Sequence, residues 1–459
     1  MRNTRLLFAG VAALLVATRL CHSGILWEGD GYPLAAAGQM LRGSMLYRDI
    51  WFDKPPLLAV AYLLFGALPG WPLRVAGALY GWLACWLAYR LARDLWSERE
   101  GLWAAGLLAF FLCFDFPAAV MPVASDLLML APHLAAVWLA LRRRPFWSGA
   151  LAGVAFWISP KGVFVAAACA LWYPGGIALM AGGFLASSAV VLAWLAGGGA
   201  LAPYVDQVWR WGRLYAATPL VEAPWRNGIM RTLNWAGFHA ALVLAAAWFA
   251  VKSPNWRWLA YLALAAAGVA AGFRFFPRYY LLLLPVVTLM AARGLTMMGR
   301  RRDCAIVLLL IPFIRFGPTY LTALRDGGWR DTAMDRDSRQ AAALVRGLAK
   351  PGDTLFVWGY RPELYTYTRL PAASRYLDSQ PLTGVPADRH LTESKPLETE
   401  APARRRRELA ATHPTFLVDG LGPYNPRLAI TRYADLGPWL EHYREVARSR
   451  ETIIYQRRP

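Results

Sequence analysis

Apolar stretches long enough to cross a ~30 Å hydrocarbon core recur through the first 320 residues of this 459-residue chain. That feature rules out most folds. In hydrocarbon every backbone N–H and C=O must be bonded internally, so the chain must form helices or a closed barrel. The runs are rich in alanine and aromatic residues and lack the two-residue alternation of barrel strands. A polytopic α-helical membrane protein is therefore expected. Composition agrees: 57% of residues are hydrophobic and 17% charged, against about a quarter charged in soluble domains.

The net charge is +20. Much of it falls in short basic clusters at the ends of apolar runs, which fix orientation and touch anionic lipid, so nucleic acid is not the expected partner. The twenty-two Trp and twenty Tyr suit interfacial belts. Cys21, Cys85, Cys113, Cys169 and Cys304 lie in or beside apolar runs without metal-ligand spacing. Neither a disulfide framework nor a zinc site is indicated. The N-terminus resembles a signal peptide, lacks a small-x-small cleavage site, and reads as an uncleaved first helix.

Basic residues belong on the cytoplasmic side of short loops. Arg2 and Arg5 place the N-terminus inside, and a first span at about 6–25 leads out. Residues 26–56 form the first external loop, and a short apolar piece, 57–68, follows. Further spans are expected at about 72–93, 101–114, 126–141, 146–159, 161–173, 176–198, 235–251, 257–272, 279–298 and 304–320, making about eleven. The segment 200–234 is then an external loop. Residues 1–320 form the membrane domain, 321–335 a polar linker and 336–459 a small extracytoplasmic α/β domain. In that tail "DTLFVWGY", "PTFLVDG" and "ETIIYQRR" read as strands, and "RQAAALVRGLAK" and "ARRRRELAATH" as helices. No glycine-rich phosphate loop opens a tail helix.

Charged residues inside spans or at their mouths are costly and therefore informative. Four groups share the outer face. Glu28 and Asp30 in "WEGDGY" could supply a general base; on spacing alone, a solvated loop capping the next helix serves as well. Lys54 in "FDKPPLL" suits a phosphate or a plain loop. Asp126 in "MPVASDLLML" opens a helix, where taken alone it reads first as a cap. His133 beyond it reads as a satisfied helix residue. Lys161, Arg274 and Arg278 could hold an anionic head or merely snorkel. Acids and cations at one water–lipid boundary suit chemistry on a lipid-linked phosphate.

These motifs, in this order, resemble the GT-C membrane glycosyltransferases, closest to protein O-mannosyltransferase-like and lipid A aminoarabinose transferase-like members of glycosyltransferase family 39 type. The resemblance rests on the first-loop acids, on "GSMLYRDIWFDKPPLL", on Asp126, on "RFFPRYYLLLLPVVTLMAARGL" and on "GDTLFVWGYRPELYTYTRLPAASRYLDSQPLTG". It implies inverting transfer of a hexosyl or pentosyl group from a polyprenyl-phosphate donor to a hydroxyl acceptor (lipid, glycan or protein), outside the bacterial cytoplasmic membrane. It assigns Asp30 as base or metal ligand with Glu28 as partner, Asp126 as the second acid, Lys54 as the phosphate contact and Arg278 as a weaker one. If a divalent cation (Mg, Mn or Zn) serves, Asp30 and Asp126 are its expected ligands. One departure stands out: the family shows adjacent Asp-Glu, whereas here Gly29 separates the acids. A lipid-linked sugar transporter or flippase would use the same cations without a base. It should carry internal repeats and midplane polar residues, and neither is evident. An assembly factor acting through its tail is the third reading.

Overall fold

The computed structural model describes residues 2–217, 221, 223–325, 330–386 and 399–459. Every expected span coincides with a helix or a broken pair. The first runs Arg2–Leu20, and the next ones Trp71–Leu95 and Glu98–Cys113. Proline at the first turn starts several helices, among them Pro56–Leu64, Pro145–Ile158 and Pro224–Phe238, because it lacks only an N–H that has no helical partner there. Ser97 caps Glu98–Cys113 by accepting from Arg99 N.

Few of the helices meet the length and composition expected of a membrane span on their own. By length and composition Pro174–Gly197 and Gly299–Leu324 are fit to cross a membrane. The pair Pro224–Phe238 and Ala240–Lys252 makes a third if it counts as one span. That pair bends by 92° at His239. The figure of eleven rests on the alternation of basic loops, not on helix lengths.

The first external loop is mostly ordered structure. Helix Glu28–Met40 opens two residues before Asp30, so both acids lie in its first turn rather than at its cap. Acids there face the positive end of the helix dipole.

In the tail, strands β1 (Leu355–Trp358), β2 (Phe416–Asp419), β3 (Tyr443–Arg448) and β4 (Ile453–Arg457) form one sheet in the order β1-β2-β4-β3. β1 and β2 are parallel, with Leu355 opposite Phe416. β4 is antiparallel to both its neighbours. β3 escaped the sequence reading because its burial follows no alternation. Helices Ala333–Leu348 and Glu400–Ala410 match the two expected ones. The first runs across the expected 335/336 boundary; 326–329 of the expected linker lie outside the described residues.

The tail does not hang free. Tyr32, Leu34 and Phe52 of the first loop share a buried cluster with Val357, Leu364 and Leu377 of the tail. Backbone bonds join the parts: Trp51 N donates to Arg375 O at 2.7 Å. Leu26 N donates to Asp335 Oδ1 at 3.1 Å.

Candidate active site

Helix Glu28–Met40 presents its first turn to the rest of the site. Asp30 is wholly buried. Its Oδ1 accepts from Tyr62 Oη at 2.6 Å and Val123 N at 2.7 Å, and its Oδ2 from Arg74 Nη2 at 2.9 Å. Arg74 also donates to Met121 O and Ile25 O. Arg19 donates to Met121 O and Val120 O beside it. A buried carboxylate with three donors and a paired charge is well satisfied. Asp30 thus ties the first loop to residues 120–123.

The glycine between the acids has a steric cause. A Cβ at Gly29 would stand 3.0 Å from Pro122 Cβ and 3.1 Å from Ala124 Cβ, so no side chain fits without moving that loop. An acid there, where the resemblance expects one, would press on that loop. Glu28, one residue back and half-buried, lies within electrostatic reach of Arg278 and Tyr360.

Asp126 sits in the short helix Ser125–Leu128, 3% exposed. Its Oδ2 lies 3.7 Å from Arg278 Nε. Lys161 follows the Ser159-Pro160 break between helices Pro145–Ile158 and Gly162–Trp172. Its ammonium stands 3.0 Å from the Tyr279 ring centroid and has no hydrogen-bond partner. Tyr215 makes a second platform: Arg274 Cζ lies 3.7 Å from its centroid and Lys54 Nζ 5.3 Å. Arg274 also donates to Tyr215 O at 2.6 Å, and Lys54 pairs with Asp53 at 2.9 Å. Burial alone would lower the Lys54 pKa, but the adjacent Asp53 carboxylate more than offsets it, so the ammonium is held above its ordinary range. Arg278 follows the same pattern: burial works against its charge, while Tyr279, Asp126 and Glu28 favour it.

Glu28, Lys54, Asp126, Lys161, Arg274 and Arg278 therefore belong to one linked set of charges and rings, and Asp30 stands behind it. The sequence reading missed Arg74 and the tyrosines Tyr62, Tyr215, Tyr279 and Tyr360. Arg74 left a usable signal, a single cation inside an apolar run. The tyrosines left none, among twenty. His133 is buried and its Nε2 bonds Tyr261 Oη at 2.7 Å, in keeping with a satisfied residue.

The expected metal ligands do not make a metal site. Asp30 is filled by Arg74, Tyr62 and Val123. Asp126 faces a guanidinium. Among the described residues no three His, Cys, Asp or Glu side chains converge to hold an ion.

The fold has known counterparts. ArnT from Cupriavidus metallidurans bound to undecaprenyl phosphate superposes with TM-score 0.59 at 17% identity, covering 99% of this chain and 98% of that one. Its apo state gives 0.59 at 16% identity, with the same coverage. The apo oligosaccharyltransferase of Archaeoglobus fulgidus gives 0.50 at 14%, covering 90% of this chain and 69% of that one. The chain has the fold of the GT-C membrane glycosyltransferases. Within that class, residues 53–206 match the family model for dolichyl-phosphate-mannose-protein mannosyltransferase. No curated protein matches the chain.

Proposed function

We propose that the protein is a glycosyltransferase that moves a hexosyl or pentosyl group from a polyprenyl-phosphate donor to a hydroxyl acceptor, with inversion, at the outer face of the bacterial cytoplasmic membrane. The observation that carries this reading is the convergence of two carboxylates, Glu28 and Asp126, on Arg278, with Lys161 beside them. The ArnT structure of the same fold holds undecaprenyl phosphate, a lipid of the class proposed here as leaving group.

The chemistry needs a base and an anion cradle. Glu28 takes the proton of the acceptor hydroxyl as its oxygen bonds the anomeric carbon. The bond from that carbon to the phosphate oxygen breaks, and its electron pair leaves with the lipid phosphate. Lys54 and Arg274 on Tyr215, with Arg278 and Lys161 by Tyr279, offset the charge that gathers there. Glu28 serves as base because it is half-buried and reachable, whereas Asp126 is enclosed and aimed at Arg278. Asp30 is a positioning residue.

The test is a deletion strain whose envelope is profiled by mass spectrometry. Loss of a hexose- or pentose-sized mass is expected, restored by the wild-type gene and not by Glu28→Gln. General-base loss costs about 10²–10⁴ in rate. If Glu28→Gln restores the mass at the wild-type level, Glu28 is not the base.

A further inference from the structure

Beside the proposed transfer site lies a cavity of about 190 Å³ that its chemistry does not use. Trp235 and Tyr280 line one wall, and a stack of rings continues behind them. His239 lies between Phe111 (4.5 Å, 20°) and Trp235 (4.3 Å, 19°), and Trp235 stacks on Tyr280 (5.6 Å, 21°). Arg231, Arg315 and Asp115 supply the charges. Asp115 is already engaged: Oδ1 accepts from Phe116 N at 2.6 Å, and Oδ2 lies 3.3 Å from His239 Nε2. The two arginines are exposed and, among the described residues, hold no carboxylate, so the charges lining the cavity are net cationic.

Its surroundings are apolar. Arg231 sits on helix Pro224–Phe238, whose Ile229, Met230 and Leu233 are exposed. This helix turns 92° from Ala240–Lys252. If the latter is part of a span, the former lies along the membrane plane as an interfacial amphipathic helix. Arg315 sits on helix Leu310–Leu324 among exposed Ile311, Phe313 and Ile314. A cation placed within a lipid-facing helix is costly and calls for an anion.

We propose that this cavity binds the phosphate-bearing head of a membrane lipid other than the sugar donor. Arg231 and Arg315 take the phosphate, Trp235 and Tyr280 pack against the head, and the acyl chains run along the exposed apolar faces of the two helices. The assignment goes beyond the transferase reading. The two sites share the segment Pro277–Leu282: Pro277 and Tyr280 line the cavity, and Arg278 and Tyr279 face the acid–cation set. A lipid held here therefore sits one short helical turn from the transfer site.

The experiment titrates the purified full-length protein, in a zwitterionic detergent, with dioctanoyl phosphatidic acid by calorimetry. Lys54→Gln/Arg278→Gln is the background, so that the donor site does not contribute. Saturable binding is expected there, weakened at least about tenfold by adding Arg231→Gln/Arg315→Gln, since charge-assisted bonds to phosphate are the stronger kind. Trp235→Ala, which leaves both arginines, should weaken it as well. Binding unchanged by the arginine pair in a protein that still melts cooperatively overturns the proposal. So does no binding in the background, or inorganic phosphate or dioctanoyl glycerol binding as tightly as the phosphatidic acid. Failure of Glu28→Gln to affect transfer would leave this result untouched.

Discussion

At the scale of single residues, Glu28 and Asp30 do different work although two positions apart. Asp30 and Arg74 are both wholly buried and paired. Removing one charge strands the other, which costs about 3–5 kcal/mol when a buried pair is broken. Asp30→Asn is therefore expected to lower the unfolding midpoint of the detergent-solubilised protein markedly, whereas Glu28→Gln leaves it within a degree or two, roughly the surface-substitution range. Equal midpoints for the two variants would remove the distinction. Gly29→Ala should also destabilise, because its Cβ would press the Pro122–Ala124 loop that donates to Asp30. That Glu28 and Asp30 fall together in the first external loop was legible in "WEGDGY". The division of labour was not, because the partners of Asp30 lie 32, 44 and 93 residues away. Spacing cannot show which of two acids is wholly buried against a paired arginine.

At the scale of elements, the segment Pro277–Leu282 matters most. Its Tyr279 ring carries the Lys161 ammonium, which makes no hydrogen bond and is otherwise drawn to the Asp126 carboxylate. A desolvated cation–π contact is worth about 2 kcal/mol. Tyr279→Leu should weaken donor binding by up to about thirtyfold, and Tyr279→Phe by little. Competition by a polyprenyl phosphate in a binding assay reads this directly. Element positions were mostly legible, because apolar periodicity marks helices and buried strands alike. What was hidden were breaks and starts: the bend at His239, and the opening of the first-loop helix at Glu28 rather than near Pro33, depend on packing partners that local sequence does not name.

The tail carries its own polar centre. Arg361 donates to Asp337 Oδ2 at 2.7 Å and to Ser338 Oγ at 2.7 Å. Ser338 in turn donates to Glu363, against which Gly31 of the first loop packs. Burial alone raises the Asp337 carboxyl, but Arg361 and the surrounding donors outweigh it and hold it below 3.8. A depressed folded pKa stabilises above the unfolded value and loses that effect as pH falls through the folded one. Acidification from about pH 5 to about pH 3 should lower the melting temperature, and Asp337→Asn should flatten this slope. A slope identical in the variant would assign the acid sensitivity elsewhere.

At the scale of the whole molecule, the first loop and the tail are one structural unit made from distant pieces. Gln39 Oε1 accepts from Ala372 N, 333 residues away, and Arg375 donates to Tyr47 O, 328 away. A chain ended after residue 325 should leave the loop loose. Trypsin is expected to cut it at Arg42 and Arg48, sites that resist in the full chain. The overall class was legible because hydropathy and charge alternation are averaged over long runs. The closure was not, since nothing local records a contact over three hundred residues.

That closure has a consequence for biosynthesis. The ribosome emits the first loop soon after the first helix, but the strands that complete it come more than three hundred residues later. At about 5–20 residues per second, the interval is roughly 15–60 s. Throughout it the nascent loop lacks its tail partners Ala372, Arg375 and Tyr360, although the donors of Asp30, all before residue 124, are already made. Under the proposed function, the site would be completed only when the last fifth of the chain has been made, so half-made chains would not compete for lipid-linked sugar.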